Sequence, residues 1–337
     1  MNSRRILLKI FYAFTRVVIP IQARNRIKRI FNRNRFGYKF LERIDQEKFF
    51  SQSSTTINIQ GFEILAPERH HLKAIMEREP LRENLLAQAS ASLLHRDDDK
   101  FIDIGANIGD TAAVVYANAP KIPKGILIEP SNFFFGYLKE NQKLFPKSVL
   151  MQNFVAHEYP IQNLQGTLHH WGGTAKFIEG TDSGMQEQVP QIDLIELIDE
   201  TVRLVKIDCD GMDYRILKSI IPRLQSYRPA IYFENEVTSR AQLQESMEVI
   251  ELLKEAGYEY VIVARNCGSL IYGGEIGNSL RDIIQLQFAL HTQGLRSAIY
   301  YTDIIVFSAQ QQNEFTRTLE RMRTSQESLM SLKFGRL

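Results

Sequence analysis

The sequence predicts a doubly wound α/β fold, a seven-stranded, mostly parallel sheet with helices on both faces. Three observations predict it. Short apolar runs recur between residues 101 and 307, most of them followed by a stretch of helical periodicity. The first run feeds directly into a turn bearing Gly105 and Gly109, and a helix follows. The chain has 337 residues, 44% of them hydrophobic and 24% charged, enough to bury one large core with appendages.

The elements follow in order. Residues 101–104 form a first strand and 109–117 a helix; residues 125–128 form a second strand. Ser131 stands at an N-cap position and opens a helix through residue 144, because its hydroxyl can accept a free first-turn amide. Residues 149–156 make a third strand and 203–207 a fourth, which leads into a helix over 212–224. Residues 230–233 form a fifth strand. The next helix starts at Ser239 and Gln242, in capping-box spacing, buries Leu243, Met247, Ile250 and Leu253, and stops at Gly257. Residues 258–264 and 298–307 complete the seven strands. In such a sheet the ligand sits beyond the carboxyl ends of the strands.

The flanks differ in character. Residues 55–64 read as a β-hairpin turning at Gly61, and 69–95 as a helical stretch interrupted by Pro80. Residues 161–190 carry five glycines with His169, His170 and Trp171, the pattern of a hairpin or active-site loop. Phe315, Leu319 and Met322 give the polar tail a weak amphipathic stripe, that of a surface helix. The expected organisation is an extension over 1–48, a lead-in over 49–99, the α/β domain over 100–309 and a tail over 310–337.

Charge is unevenly spread. The net charge is only +2, yet residues 1–44 hold twelve of the 41 bases and a single acid, Glu42. Ile6, Ile10, Phe14 and Val17 recur there at helical spacing, and Pro20 divides the segment. Such a basic amphipathic arm suits an anionic membrane surface. It could also pack on the acidic body, and a nucleic-acid partner is the least expected because no recognised binding module accompanies it. Two cysteines, Cys209 and Cys267, supply neither a disulfide framework nor a tetrahedral zinc site. No apolar run reaches the ~20 residues that span a bilayer. A cytoplasmic protein, peripheral on the inner membrane face, is therefore expected.

The sharpest motif is F-I-D-I-G-A-N-I-G-D over residues 101–110. A dinucleotide fingerprint would need glycines where this chain has Asn107 and Asp110. S-adenosylmethionine has no phosphate and presents an amino-acid tail, a ribose diol and a sulfonium. Asp103, at a strand end, suits the ammonium of such a ligand. Glu129, in I-E-P at the end of the second strand, can accept both ribose hydroxyls.

These motifs, with L-I-E-P-S-N, V-K-I-D-C-D-G-M-D-Y-R-I-L and R-P-A-I-Y-F-E in the same order, resemble the FkbM-type methyltransferase family. The resemblance covers roughly residues 61–307. It implies a Rossmann-like class I methyltransferase fold and O-methylation, often of sugars in surface glycans or natural products. It also implies that Asp103, Gly105, Asn107, Gly109 and Glu129 contact S-adenosylmethionine. The chain departs from the family's Asp-x-Glu-Gly-x-Glu at Asp210 and Asp213, which keep the charge on a side chain one methylene shorter.

A hydroxyl acceptor needs a base to take its proton. The candidates are Asp208 and Asp210 after the fourth strand, Glu234 after the fifth and His157 after the third. Asp208, Glu234 and Asn235 together could ligate Mg²⁺, which favours oxygen donors. The expected partner is a small-molecule or glycan acceptor. The alternatives are a nucleotide-sugar or NAD-binding enzyme on the same sheet and a non-catalytic cofactor-binding scaffold.

Overall fold

The computed structural model describes residues 53–68, 70–158, 161, 166–171, 173–179, 189–224, 227–295 and 299–334. The basic extension assigned to 1–48 lies outside them. The lead-in forms the expected hairpin, β1 (Ser54–Ile59) antiparallel to β2 (Phe62–Pro67). Gln60 and Gly61 turn it with φ of 49° and 98°, the positive angles a tight two-residue turn requires. The helical stretch then divides at Pro80 into α1 (Leu72–Arg78) and α2 (Asn84–Leu93), since proline cannot donate the helical hydrogen bond.

Strands and helices then alternate: β3 (Lys100–Ile104), α3 (Asp110–Asn118), β4 (Lys124–Ile128), α4 (Asn132–Asn141) and β5 (Ser148–Met151). Ser131 caps α4 as expected, accepting from the Phe134 amide. The single third strand expected over 149–156 is corrected. It breaks at the polar pair Gln152–Asn153, and β6 (Phe154–Val155) leaves the main sheet. The glycine-rich segment contains a hairpin, β7 (Gly166–Trp171) with β8 (Thr174–Glu179). After it, β9 (Gln191–Ile192) pairs in parallel with β6.

The second half comprises β10 (Val202–Ile207), α5 (Asp213–Ile220), β11 (Ala230–Asn235), α6 (Arg240–Glu255), β12 (Tyr258–Arg265), β13 (Leu270–Glu275), α7 (Asn278–Thr292), β14 (Thr302–Ser308) and α8 (Gln312–Phe334). The central sheet has eight strands, which corrects the expected seven, because β13 folds back as a hairpin on β12. Its order is β5-β4-β3-β10-β11-β14-β12-β13. The first five of these run parallel, and β14 lies antiparallel between β11 and β12.

One face of the sheet is largely apolar. Ile102, Ile104, Val205, Ile207, Ile231 and Phe233 pack there against Ile216, Leu217 and Leu253 of α5 and α6. The alternate residues point to the opposite face, and here polar groups line up across the strands. Asp103 is in register with Lys206, Lys206 with Tyr232, and Glu234 with Asp303. The tail helix α8 packs on α2 and on β12–β14, burying Met322 completely, with Phe315 and Leu319 nearly so.

Candidate active site

The chain builds outward from β3 in both directions, to β4 and β5 on one side and to β10 and β11 on the other. A crevice therefore opens at the carboxyl ends of β3 and β10, the topological switch point. Gly105 begins its floor with φ of 78°. A Cβ there would lie 2.0 Å from the Asp208 carbonyl oxygen, so the two strand ends meet backbone to backbone. Gly109 starts α3 with φ of 91°, and a Cβ there would strike the Phe145 ring at 2.6 Å.

Asn107, between them, holds φ of 49°, a left-handed angle that asparagine tolerates. Its backbone amide donates to Glu129 Oε2 at 2.9 Å, and the Ser131 amide donates to Glu129 Oε1 at 2.8 Å. Burial pushes the Glu129 carboxyl up to about 7, against the opposing pull of those two amides. Each carboxylate oxygen keeps a second lone pair for a ligand.

A cavity opens in the crevice. Gly105, Asn107 and Glu129 line it, as do Asn153, Val155 and His157 from the broken third strand. Asp208, Asp210 and Met212 line the side below β10, and Leu168 and Ala175 come from the β7–β8 hairpin. Four residues named from the sequence alone, besides Gly105 and Asn107, thus line one cavity: Glu129, His157, Asp208 and Asp210; Glu234 does not line it.

Asp103 and Gly109 do not line this cavity. Asp103 is buried; its Oδ1 lies 3.0 Å from Lys206 Nζ and its Oδ2 accepts the Thr111 hydroxyl at 2.6 Å. Lys206 Nζ also donates to the Gly105 carbonyl at 3.2 Å and lies 3.5 Å from Asp208 Oδ2. Burial alone would lower the Lys206 pKa, but the charges of Asp103 and Asp208 hold it well above the ordinary value. This lysine ties the floor loop, β3 and β10 together.

Glu234 is half-buried, and its carboxyl is raised well above the usual range by burial and then by the charges of Asp208, Asp213 and Asp210. Burial and the Asp208 charge likewise push Asp213 up to about 8, although its oxygens accept the Cys209 and Gly211 amides.

Residues 103–260 match the model of the methyltransferase FkbM domain. The chain carries an FkbM methyltransferase domain. It is an S-adenosylmethionine-dependent methyltransferase, in place of the nucleotide-sugar and nicotinamide alternatives. Solved structures similar to it include the FkbM methyltransferase from Methylobacillus flagellatus KT, 14% identical with a TM-score of 0.36 over 58% of this chain and 48% of that one. The M. jannaschii TYW2 in complex with AdoMet is 10% identical, TM-score 0.39, over 76% and 86%. The precorrin-6y C5,15-methyltransferase from Geobacter metallireducens GS-15 is 18% identical, TM-score 0.33, over 54% and 74%. No curated protein matches the chain significantly.

The FkbM domain's crevice fits S-adenosylmethionine on its own terms. Its floor has no room for a side chain at Gly105, and Glu129 is a buried acceptor pair fixed by two amides. The magnesium set of Asp208, Glu234 and Asn235 finds no support in the geometry. Asn235 is buried, its amide oxygen accepts the Tyr214 hydroxyl, and its Nδ2 donates to Gln287 Oε1 at 2.5 Å and Thr302 Oγ1 at 2.8 Å. Asn235 is thus held in a buried side-chain network and does not line the cavity. Among the described residues, no three His, Cys, Asp or Glu side chains group to hold a metal ion.

Several site residues escape sequence reasoning. Lys206 leaves a signal, a lysine inside the apolar strand V-R-L-V-K-I. Leu168 and Ala175 lie in the segment expected as a hairpin or active-site loop, but nothing singles them out within it, because only the path of the hairpin brings them to the cavity. Arg82, Glu83, Tyr301 and Asp303 lie outside the matched residues and meet only in the fold: Arg82 donates to the Tyr301 hydroxyl at 2.8 Å and lies 3.5 Å from Glu83.

Proposed function

We propose that the FkbM domain transfers a methyl group to an uncharged hydroxyl of a glycan, glycolipid or polyhydroxylated natural product. The observation that carries this reading is the charge balance beyond β10, β11 and β14. Asp208, Glu234, Asp303 and Glu83 crowd together, and burial with mutual repulsion raises the last three. The cations that reach them are already neutralised. Lys206 faces Asp103 and Asp208, and Arg82 faces Glu79 at 3.3 Å and Glu83. Among the described residues a phosphate or carboxylate acceptor would find no free counter-charge here, whereas sugar hydroxyls donate well to carboxylates.

S-adenosylmethionine, when bound, supplies a methyl group on a cationic sulfonium. Glu129 holds the ribose hydroxyls, and Gly105 and Asn107 form the floor beneath. Asp208 lines the cavity with its side chain 40% exposed, so it can reach an incoming hydroxyl and take its proton. Lys206 steadies the Asp208 carboxylate in that task. Glu234, Asp210 and His157 stand as the further groups able to accept or relay the proton. Positioning of this kind is worth ~7–11 kcal/mol and a base a factor of about 10² to 10⁴.

The test is transfer of radiolabelled methyl into fractionated extracts of the source cells. Label should enter glycans or glycolipids. An Asp208→Asn, Glu234→Gln double variant should lose about 10²-fold or more while still binding S-adenosylhomocysteine. Full activity in that variant, or label only in protein or nucleic acid, would contradict the assignment.

The basic segment over residues 1–44 brings the enzyme to an anionic lipid surface, on the strength of its twelve bases and apolar stripe. No described helix is long and apolar enough to cross a membrane. Sedimentation with phosphatidylglycerol vesicles should be strong, salt-sensitive and lost on deleting 1–44. Equal binding by the deleted form would refute it.

A further inference from the structure

The β7–β8 hairpin is fastened onto the cofactor loops at two points. His170 Nε2 lies 2.6 Å from Ser131 Oγ, and Asn107 Nδ2 donates to the Gly173 carbonyl at 2.7 Å. The hairpin tip is also closely packed, for a Cβ on Gly173 would lie 2.9 Å from the His70 ring. His170 pairs with Ala175 across the hairpin, and Leu168 lies two residues before His170, so the three share one face. Leu168 and Ala175 turn to the cavity while the buried His170 reaches Ser131. The two anchors are also the two residues that hold Glu129. Asn107 and Ser131 grip the Glu129 carboxylate with their backbone amides and the hairpin with their side chains.

We infer that His170 is a positioning residue that docks the hairpin as the apolar outer wall of the nucleoside half of the pocket. It thereby governs how long the cofactor stays bound. The inference rests on the reading of this cavity as the cofactor pocket. A nucleoside seated on Glu129 tightens the same two residues that hold the wall, so ligand and hairpin stabilise each other. The hairpin wall supplies an apolar surface for the base, and the Asn107 and Ser131 anchors keep water from entering behind it.

Two measurements test it on the full chain with S-adenosylhomocysteine as probe. In the wild type, amide exchange over residues 166–179 should slow when the probe binds. Stopped-flow dissociation should be about three- to tenfold faster in His170→Ala, the cost of one lost hydrogen bond, with the association rate unchanged. His170→Gln, whose amide can reach Ser131, should recover most of the difference; a merely structural role would move the melting temperature and not this rate. Unchanged dissociation in His170→Ala, or unchanged hairpin exchange in the wild type, overturns the inference and leaves the cofactor reading standing. Failure of the wild type to bind the probe overturns both.

Discussion

Glu129 is a tightly constrained side chain of the FkbM domain. It is buried, gripped by two amides, and raised to about 7 chiefly by burial. Its pKa in the folded protein thus exceeds the ordinary carboxyl value, so near neutrality it is partly protonated. Ribose hydroxyls and a sulfonium favour the ionised form, so binding should release a proton. Affinity should then fall as pH drops below 7 and level off above about 8. Calorimetric titration with S-adenosylmethionine at pH 6.5 in buffers of different ionisation heats would reveal that release, and Glu129→Gln should abolish it. Proton uptake in the wild type would contradict this assignment. Glu129 was legible only together with the first motif, because an acid before a helix is electrostatically comfortable there on its own. The inward turn of Asp103 was not, since its partner Lys206 sits on a strand a hundred residues away, and their pairing depends on sheet register.

At the level of elements, the legible parts were those with strong period or clear punctuation. The Ser131 and Ser239 caps, the Gly61 turn and the Pro80 break all fall where local chemistry demands. β13 and α7 were not legible. L-I-Y-G-G-E carries two glycines, which weaken a strand, and only the hairpin with β12 makes it one. The tail stripe was visible as weakly amphipathic, but its depth was not: α8 is a buttress, with Met322 fully buried against α2. Met322→Ala should therefore cost about 2–5 kcal/mol of stability, read from denaturant unfolding, with S-adenosylhomocysteine affinity unchanged because no described α8 side chain lines the cavity. No loss of stability would show that the helix does not pack there.

The whole molecule is organised by one reversal of direction in its sheet. Strands run outward from β3 to β5, return to β10 and continue to β11, with β14 inserted antiparallel before β12. That order opens the crevice, and the first motif in the sequence supplies its floor. Alternating strands and helices made the fold class legible, as did the glycine positions of the floor. The polar cluster beside Glu234 was not, because Arg82, Glu83, Tyr301 and Asp303 come from opposite ends of the chain and meet only when the turn before α2 packs beside the start of β14. The most direct test of the whole account is calorimetric titration of the full chain with S-adenosylhomocysteine, beside Gly105→Ala and with NAD as comparison. The wild type should bind the sulfur nucleoside at micromolar concentration and ignore NAD. Gly105→Ala should abolish binding, because its Cβ cannot share space with the Asp208 carbonyl at 2.0 Å. Preferential binding of NAD, or undiminished binding by the alanine variant, would contradict the assignment of this crevice as the methyl donor's pocket.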